Sequence, residues 1–316
     1  MVADKTPTRR PSSVKARERL GNLAAYLILG AVGVSMLIPF AWMTVASLRS
    51  KTEFFRQIEE LLPSGPHWEN YLSAWTTVPF GAFFTNSVLV AVAVTAGQLA
   101  TSALAAYAFA RLKFWGRDAL FLAYVSAMII PAQVTLIPLF IMMVELKWID
   151  TYAALIVPTL ASAYGCFLLR QFFMTIPVEL EDAARMDGAG HWSVFTRIVL
   201  PLSKPALAAF GVIAFLGSWN SFVWPLIVIN RPTMKTLPIG LQSLQGFYGD
   251  ANWSVLMAGA VIAAAPMLIL FLFAQRFFIE GITLTGNKGM RTTNNAMFFI
   301  TPGTTRLRGK SVATTA

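Results

Sequence analysis

Charged positions along this chain fall into clusters, and the stretches between them stay uncharged for far longer than a soluble helix or strand requires. Twenty-nine uncharged residues separate Arg19 from Arg49, and 41 separate Glu69 from Arg111, the apolar part of the latter running from Phe83 to Ala110. Four more uncharged intervals follow at 119–144, 151–169, 205–230 and 251–275, each of 19 to 26 residues and with little amphipathic striping. A helix that crosses the hydrocarbon core needs roughly 20 apolar residues. A backbone in lipid must also satisfy its own hydrogen bonds, which selects helices. The pattern therefore predicts an all-α membrane protein with six transmembrane helices, at about 20–48, 83–110, 119–144, 151–173, 205–230 and 251–275. Pro131 and Pro138 predict a break or kink inside the third.

Composition supports the same class: 56% of residues are hydrophobic and 13% charged, where a soluble domain carries roughly 25% charged residues. Lys and Arg favour the cytoplasmic side of short loops. With the N-terminus inside, nineteen of the 25 lie inside, so both termini are expected in the cytoplasm. The net charge of +10 is then accounted for by topology and the lipid surface, and nucleic acid is not expected as a partner. Residues 1–19 form a basic tail, 20–289 the membrane domain and 290–316 a second polar tail expected to be mobile. No cleavable signal is evident in the polar first 20 residues. Cys166 is the single cysteine, which excludes an intramolecular disulfide. His67 and His191 fall in loops on opposite sides and form no metal pair. A G-x-x-x-x-G-K-[ST] phosphate loop is absent, so neither a bound cofactor nor ATP hydrolysis is expected of this chain.

The longest inner loop, 175–204, holds EDAARMDGAGHWSVFTRIVLP from Glu181 to Pro201. Pro177 suits a first helical turn, and Glu179, Glu181 and Asp182 complement the positive end of the helix dipole. Leu180, Ala183 and Ala184 share a narrow face, and Gly188 breaks the helix. A second short helix is expected from Trp192, with Trp192, Phe195 and Val199 on one face, until Pro201 ends it. Periodicity alone fits two uses equally: a docking hairpin for another protein, or an interfacial hairpin on the membrane. Inside the membrane, Gln133 near the third-span prolines and Trp219, Asn220 and Ser221 in the fifth span are candidates to line a pathway. Aromatic faces beside amides suit sugar-like solutes, and the same residues also suit helix packing.

The loop resembles the EAA motif of ABC importer permeases: E-A-A, three residues, G, nine residues, I-x-L-P. Asp182, Ala183, Ala184, Gly188, Ile198, Leu200 and Pro201 stand at those positions, with Asp182 where the family usually has Glu. The likeness extends from about Leu23 to Gly289 and is strongest toward the maltose-type and glycerol-phosphate-type branch, in NSVLVA at Asn86, LAAYAFARLKFWGRD at Leu104, PAQVTLIPLF at Pro131, SWNSFVWPL at Ser218 and FFIEGITLTGNKG at Phe277. The resemblance implies a type I permease fold in a bacterial cell membrane. It also implies a homologous permease partner, two ATP-binding subunits that hold the ATP, an extracytoplasmic solute-binding protein and a sugar-like solute. The loop would be the coupling helix: Asp182 for a polar contact with the ATPase, Ala183 and Ala184 for the close-packed face, Gly188 for the bend, with Glu181 and Asp187 as flanking acids. The 27 residues after Gly289 depart from the family, whose chains tend to stop soon after this point. The rival class, an ion-gradient-driven transporter or channel, usually needs ionisable groups in the membrane, and the six intervals contain none.

Overall fold

The computed structural model describes residues 12–51, 65–245 and 252–295; the ends of both tails lie outside these. The described residues contain helices and no strands. In chain order the helices are α1 (Ser12–Ser47), α2 (Glu69–Thr76), α3 (Phe80–Arg111), α4 (Arg117–Ser126), α5 (Ala132–Glu145), α6 (Tyr152–Ile156) and α7 (Ala163–Phe173). They continue with α8 (Val178–Met186), α9 (His191–Val194), α10 (Leu200–Leu202), α11 (Lys204–Trp219), α12 (Val223–Val228), α13 (Leu237–Leu241) and α14 (Trp253–Asn295).

Three helical stretches, Gly21–Ser47, Phe80–Arg111 and Trp253–Phe273, are each long and apolar enough to cross a membrane, and three further helix pairs meet that test jointly across a short break. Two of these breaks, before α5 and before α7, have local causes; the third falls at Ser203, between α10 and α11. Pro131 sits extended before α5. The interval 205–230 is two helices, α11 and α12, where the sequence pattern gives one span. Pro225 explains the division, since its ring excludes the carbonyl four residues back and it donates no hydrogen bond. Pro158 acts likewise between α6 and α7, and the Ala154 carbonyl it leaves without a helical donor accepts from Trp224 Nε1 at 2.8 Å. α7 then restarts with Ser162 Oγ accepting from the Gly165 N–H at 3.1 Å. At the far end, α14 continues past Gly289 to Asn295.

Two compact units share the chain: the described residues of Met1–Gly97, Ile130–Leu160 and Ala214–Ile269, and those of Gln98–Ile129, Ala161–Ile213 and Leu270–Ala316. In the first, Phe80, Phe83, Trp219, Leu237 and Val255 pack in one cluster and Val90, Val94, Met143, Leu155 and Ile239 in another. Asn86, buried on α3, ties this unit together. Its amide donates to the carbonyls of Thr233 at 2.9 Å and Lys235 at 3.0 Å, and its oxygen accepts from the Tyr152 hydroxyl at 2.6 Å. In the second unit, buried Cys166, Leu169, Phe173, Val194, Val199 and Phe210 form the interior. From Gly21 to Trp42, by contrast, every residue of α1 is exposed.

Candidate functional site

The loop between α7 and α11 is built in the second unit. Pro177 is extended (ψ 130°) and opens α8, whose first turn carries Glu179 and Glu181. The two acids adjacent in sequence have opposite fates. Glu181 is 1% exposed. Its Oε1 lies 2.9 Å from Arg111 Nε, and its Oε2 lies 3.4 Å from Arg185 Nη2. Asp182 points outward with its side chain 62% exposed, 3.5 Å from Arg185 Nη1. Ala183 and Asp187 are exposed and Ala184 half-buried.

α8 ends in a Schellman turn: the Gly188 N–H donates to the Arg185 carbonyl at 3.0 Å and the Ala189 N–H to the Ala184 carbonyl at 2.9 Å. Gly188 has φ +86°, the left-handed region that glycine enters without penalty. Beyond it, α9 starts at His191, whose carbonyl accepts from the Tyr107 hydroxyl at 3.4 Å. Residues Phe195–Val199 form a π-helical turn and α10 follows to Leu202, so the helix ends one residue beyond Pro201. The wider turn absorbs the ring of Pro201 against the preceding carbonyls. Phe195 and Val199 are buried, whereas Trp192 remains 67% exposed with its ring 5.6 Å from that of Phe195. Met186 is 88% exposed and Val178 and Leu180 are half-exposed, so α8 shows apolar side chains on more than one side, interspersed with exposed Asp182 and Asp187.

The membrane candidates separate. Trp219 is buried, its Nε1 donating to the Ala263 carbonyl at 3.2 Å and its rings against Phe215 and Phe84 at 5.6 and 5.8 Å. Trp219 and Asn220 line one cavity of about 460 Å³, walled otherwise by apolar groups including Phe40, Leu237 and Met267. Gln133 on α5 and Ser221 are not among its lining residues. Sequence reasoning passed over Arg111, counted there only as an inside charge, and Asn86, quoted only within a stretch. No local rule pairs residues so far apart, although an arginine closing a 41-residue uncharged run was the available signal. No group of three or more metal-ligating side chains occurs among the described residues.

Residues 98–283 match the family model described as binding-protein-dependent transport system inner membrane component. The chain is similar to the arabinooligosaccharides transport system permease protein of Halalkalibacterium halodurans, 38% identical over 256 residues, covering 80% of this chain and 91% of the relative. It is also similar to the sn-glycerol-3-phosphate transport system permease protein of Yersinia pestis, 36% identical over 264 residues, 81% and 93% of the two chains. Among solved structures, a chain of a bacterial ABC transporter involved in import of the acidic polysaccharide alginate superposes with TM-score 0.74 at 22% identity, covering 86% of this chain and 100% of that one. The same kind of transporter in complex with an alginate pentasaccharide-bound periplasmic protein gives TM-score 0.60 at 17% identity, covering 82% and 94%.

Proposed function

We propose a role from one premise: the chain belongs to the binding-protein-dependent transport system inner membrane component family, and is a multi-pass permease subunit of an ABC importer with the type I fold, not an enzyme. In this reading the loop from Pro177 to Pro201 is the seat of a separate ATP-binding subunit, which holds the ATP. Asp182, Ala183, Ala184 and Asp187 lie on the docking face and Gly188 sets its bend. Glu181, although adjacent, acts from inside the fold. The observation that carries the reading is the pair of exposed apolar side chains Met186 on α8 and Trp192 on α9, set on either side of the Gly188 turn.

Six spans with both termini cytoplasmic follow from the lysine and arginine distribution. The polar tails 1–19 and 290–316 then flank the membrane domain 20–289 on the ATPase side. A homologous permease subunit completes the pathway, two ATP-binding subunits drive it, and an extracytoplasmic binding protein delivers solute; the alginate transporter is in complex with an alginate pentasaccharide-bound periplasmic protein. The solute is a sugar or sugar-like molecule, the class that the named relatives carry. The cavity at Trp219 and Asn220 offers an aromatic and an amide suited to it.

The test is affinity purification of the complex from membranes. Asp182→Lys is expected to reduce the ATP-binding subunit recovered by about tenfold, because like charges across an interface cost several kcal/mol where the facing group is basic. Asp182→Glu, which restores the family's usual acid, keeps wild-type recovery. The intrachain contact to Arg185 lies at the surface and contributes little. Full recovery and hydrolysis in Asp182→Lys removes Asp182 from the docking face.

A further inference from the structure

We propose that Arg111 and Glu181 form a latch that makes α8 move as one body with the ends of α3 and α7, so that a displacement of the docked loop reaches both helices; the proposal rests on the docking reading of that loop. Glu181 is the single buried residue of α8, so this helix has no fully buried apolar side chain to fix it. What holds it is a charge. The Arg111 guanidinium spans three attachments at once, a task its planar fork suits and an ammonium does not. Nε lies 2.9 Å from Glu181 Oε1 as an ion pair without hydrogen-bond alignment, while Nη2 donates to the Phe173 carbonyl at 2.6 Å and the Ile176 carbonyl at 2.5 Å. The last two are end groups of α7 and its following turn; the Phe173 carbonyl also accepts the Ile176 N–H at 3.2 Å.

The tie between α3 and α7 is reciprocal. Arg170 of α7 donates from Nε to the Phe109 carbonyl of α3 at 3.2 Å, and its guanidinium lies over the Phe121 ring at 4.1 Å. On the outward side, Glu181 faces Arg185, and Arg185 faces exposed Asp182. Alternating charges thus run from the docking face to the ends of two membrane helices. A buried pair of this kind is a poor source of stability but penalises separation of its partners heavily. That asymmetry is what a mechanical link requires.

The test uses the assembled complex in nanodiscs, with spin labels at Glu179→Cys on α8 and Leu104→Cys on α3; both sites are exposed, and wholly buried Cys166 is left in place. With the latch intact, the distance distribution between labels is narrow and the same with and without ATP and vanadate. Glu181→Gln is expected to broaden it by about twofold or shift it on adding ATP and vanadate, while the ATP-binding subunit still copurifies and hydrolyses ATP. Glu181→Asp restores a narrow distribution. A wild-type distribution in Glu181→Gln overturns the latch, as does a wild-type pair that itself shifts. Loss of the ATP-binding subunit in Glu181→Gln alone also overturns it, because the residue would then shape docking and not transmission. Failure of that subunit to copurify with the unsubstituted chain instead contradicts the docking reading. Should Glu181→Gln not accumulate, Arg111→Lys, which keeps the charge and loses the fork, is measured the same way, and an unchanged distribution overturns the proposal.

Discussion

Gly188→Val is expected to lower solute uptake per ATP hydrolysed by about tenfold or more while leaving the chain inserted in the membrane. The reason lies in the backbone and not in crowding. A Cβ at position 188 meets nothing within 4 Å, but φ is +86°. An L-residue there costs about 1–2 kcal/mol, and more when β-branched, which shifts a two-state loop by about tenfold. The Schellman turn that this φ permits fixes where α8 stops and where Met186 and Trp192 stand relative to each other. Gly188→Asn, which tolerates the left-handed region, is expected to be intermediate. Gly190→Ala is the control: its φ is −74°, ordinary for any residue, and an added Cβ is unopposed. Reconstituted vesicles with the solute the wild-type complex transports provide the measurement. Wild-type uptake per ATP in Gly188→Val shows the turn to be dispensable.

The second large effect is on stability. Gly165→Val is expected to prevent accumulation of folded chain, and Gly165→Ala to lower the thermal midpoint of the solubilised complex by several degrees. A Cβ at 165 lies 2.1 Å from Phe210 Cζ and 2.6 Å from Ser102 Oγ. Phe210 is wholly buried and has no free direction in which to move. Overpacking of this kind costs typically about 1–3 kcal/mol even for small additions, and each kcal/mol moves the midpoint by about 2–4 °C in chains of 150–250 residues. Gly30→Ala, where an added Cβ meets nothing within 4 Å, is the neutral comparison. Equal midpoints for Gly165→Ala and Gly30→Ala contradict the close approach of α7 to Ser102 and Phe210.

The apolar helices were legible because lipid imposes a one-dimensional rule: long uncharged runs must be helices. Interruptions were legible where proline preceded a restart, as at Pro131. The division at Asn220–Phe222 was also written in the sequence, as Pro225, but an uncharged run of 26 residues masked it. In the loop 175–204, spacing identified Gly188, since only its backbone angle had to be inferred. Spacing could not distinguish Glu181 from Asp182. Two neighbouring carboxylates look alike until a distant arginine selects one and buries it. Trp192 shows the same limit: periodicity placed it with Phe195 and Val199, and its ring does meet that of Phe195, yet it stands largely exposed while the other two are buried. Pathway residues were the least legible, because the polar groups of a membrane helix serve packing and solute alike. Of the four candidates, Trp219 and Asn220 line the cavity described above.

The docking of a separate ATP-binding subunit on α8 is tested most directly by a cross-link from Met186→Cys, the most exposed large apolar side chain on that helix at 88%. In membrane vesicles of the assembled importer, a short thiol-reactive photo-cross-linker at this position is expected to join the chain to the ATP-binding subunit, and in intact cells the thiol is expected to resist impermeant reagents. Labelling of Met186→Cys from outside intact cells, or cross-links to lipid alone, would contradict the account.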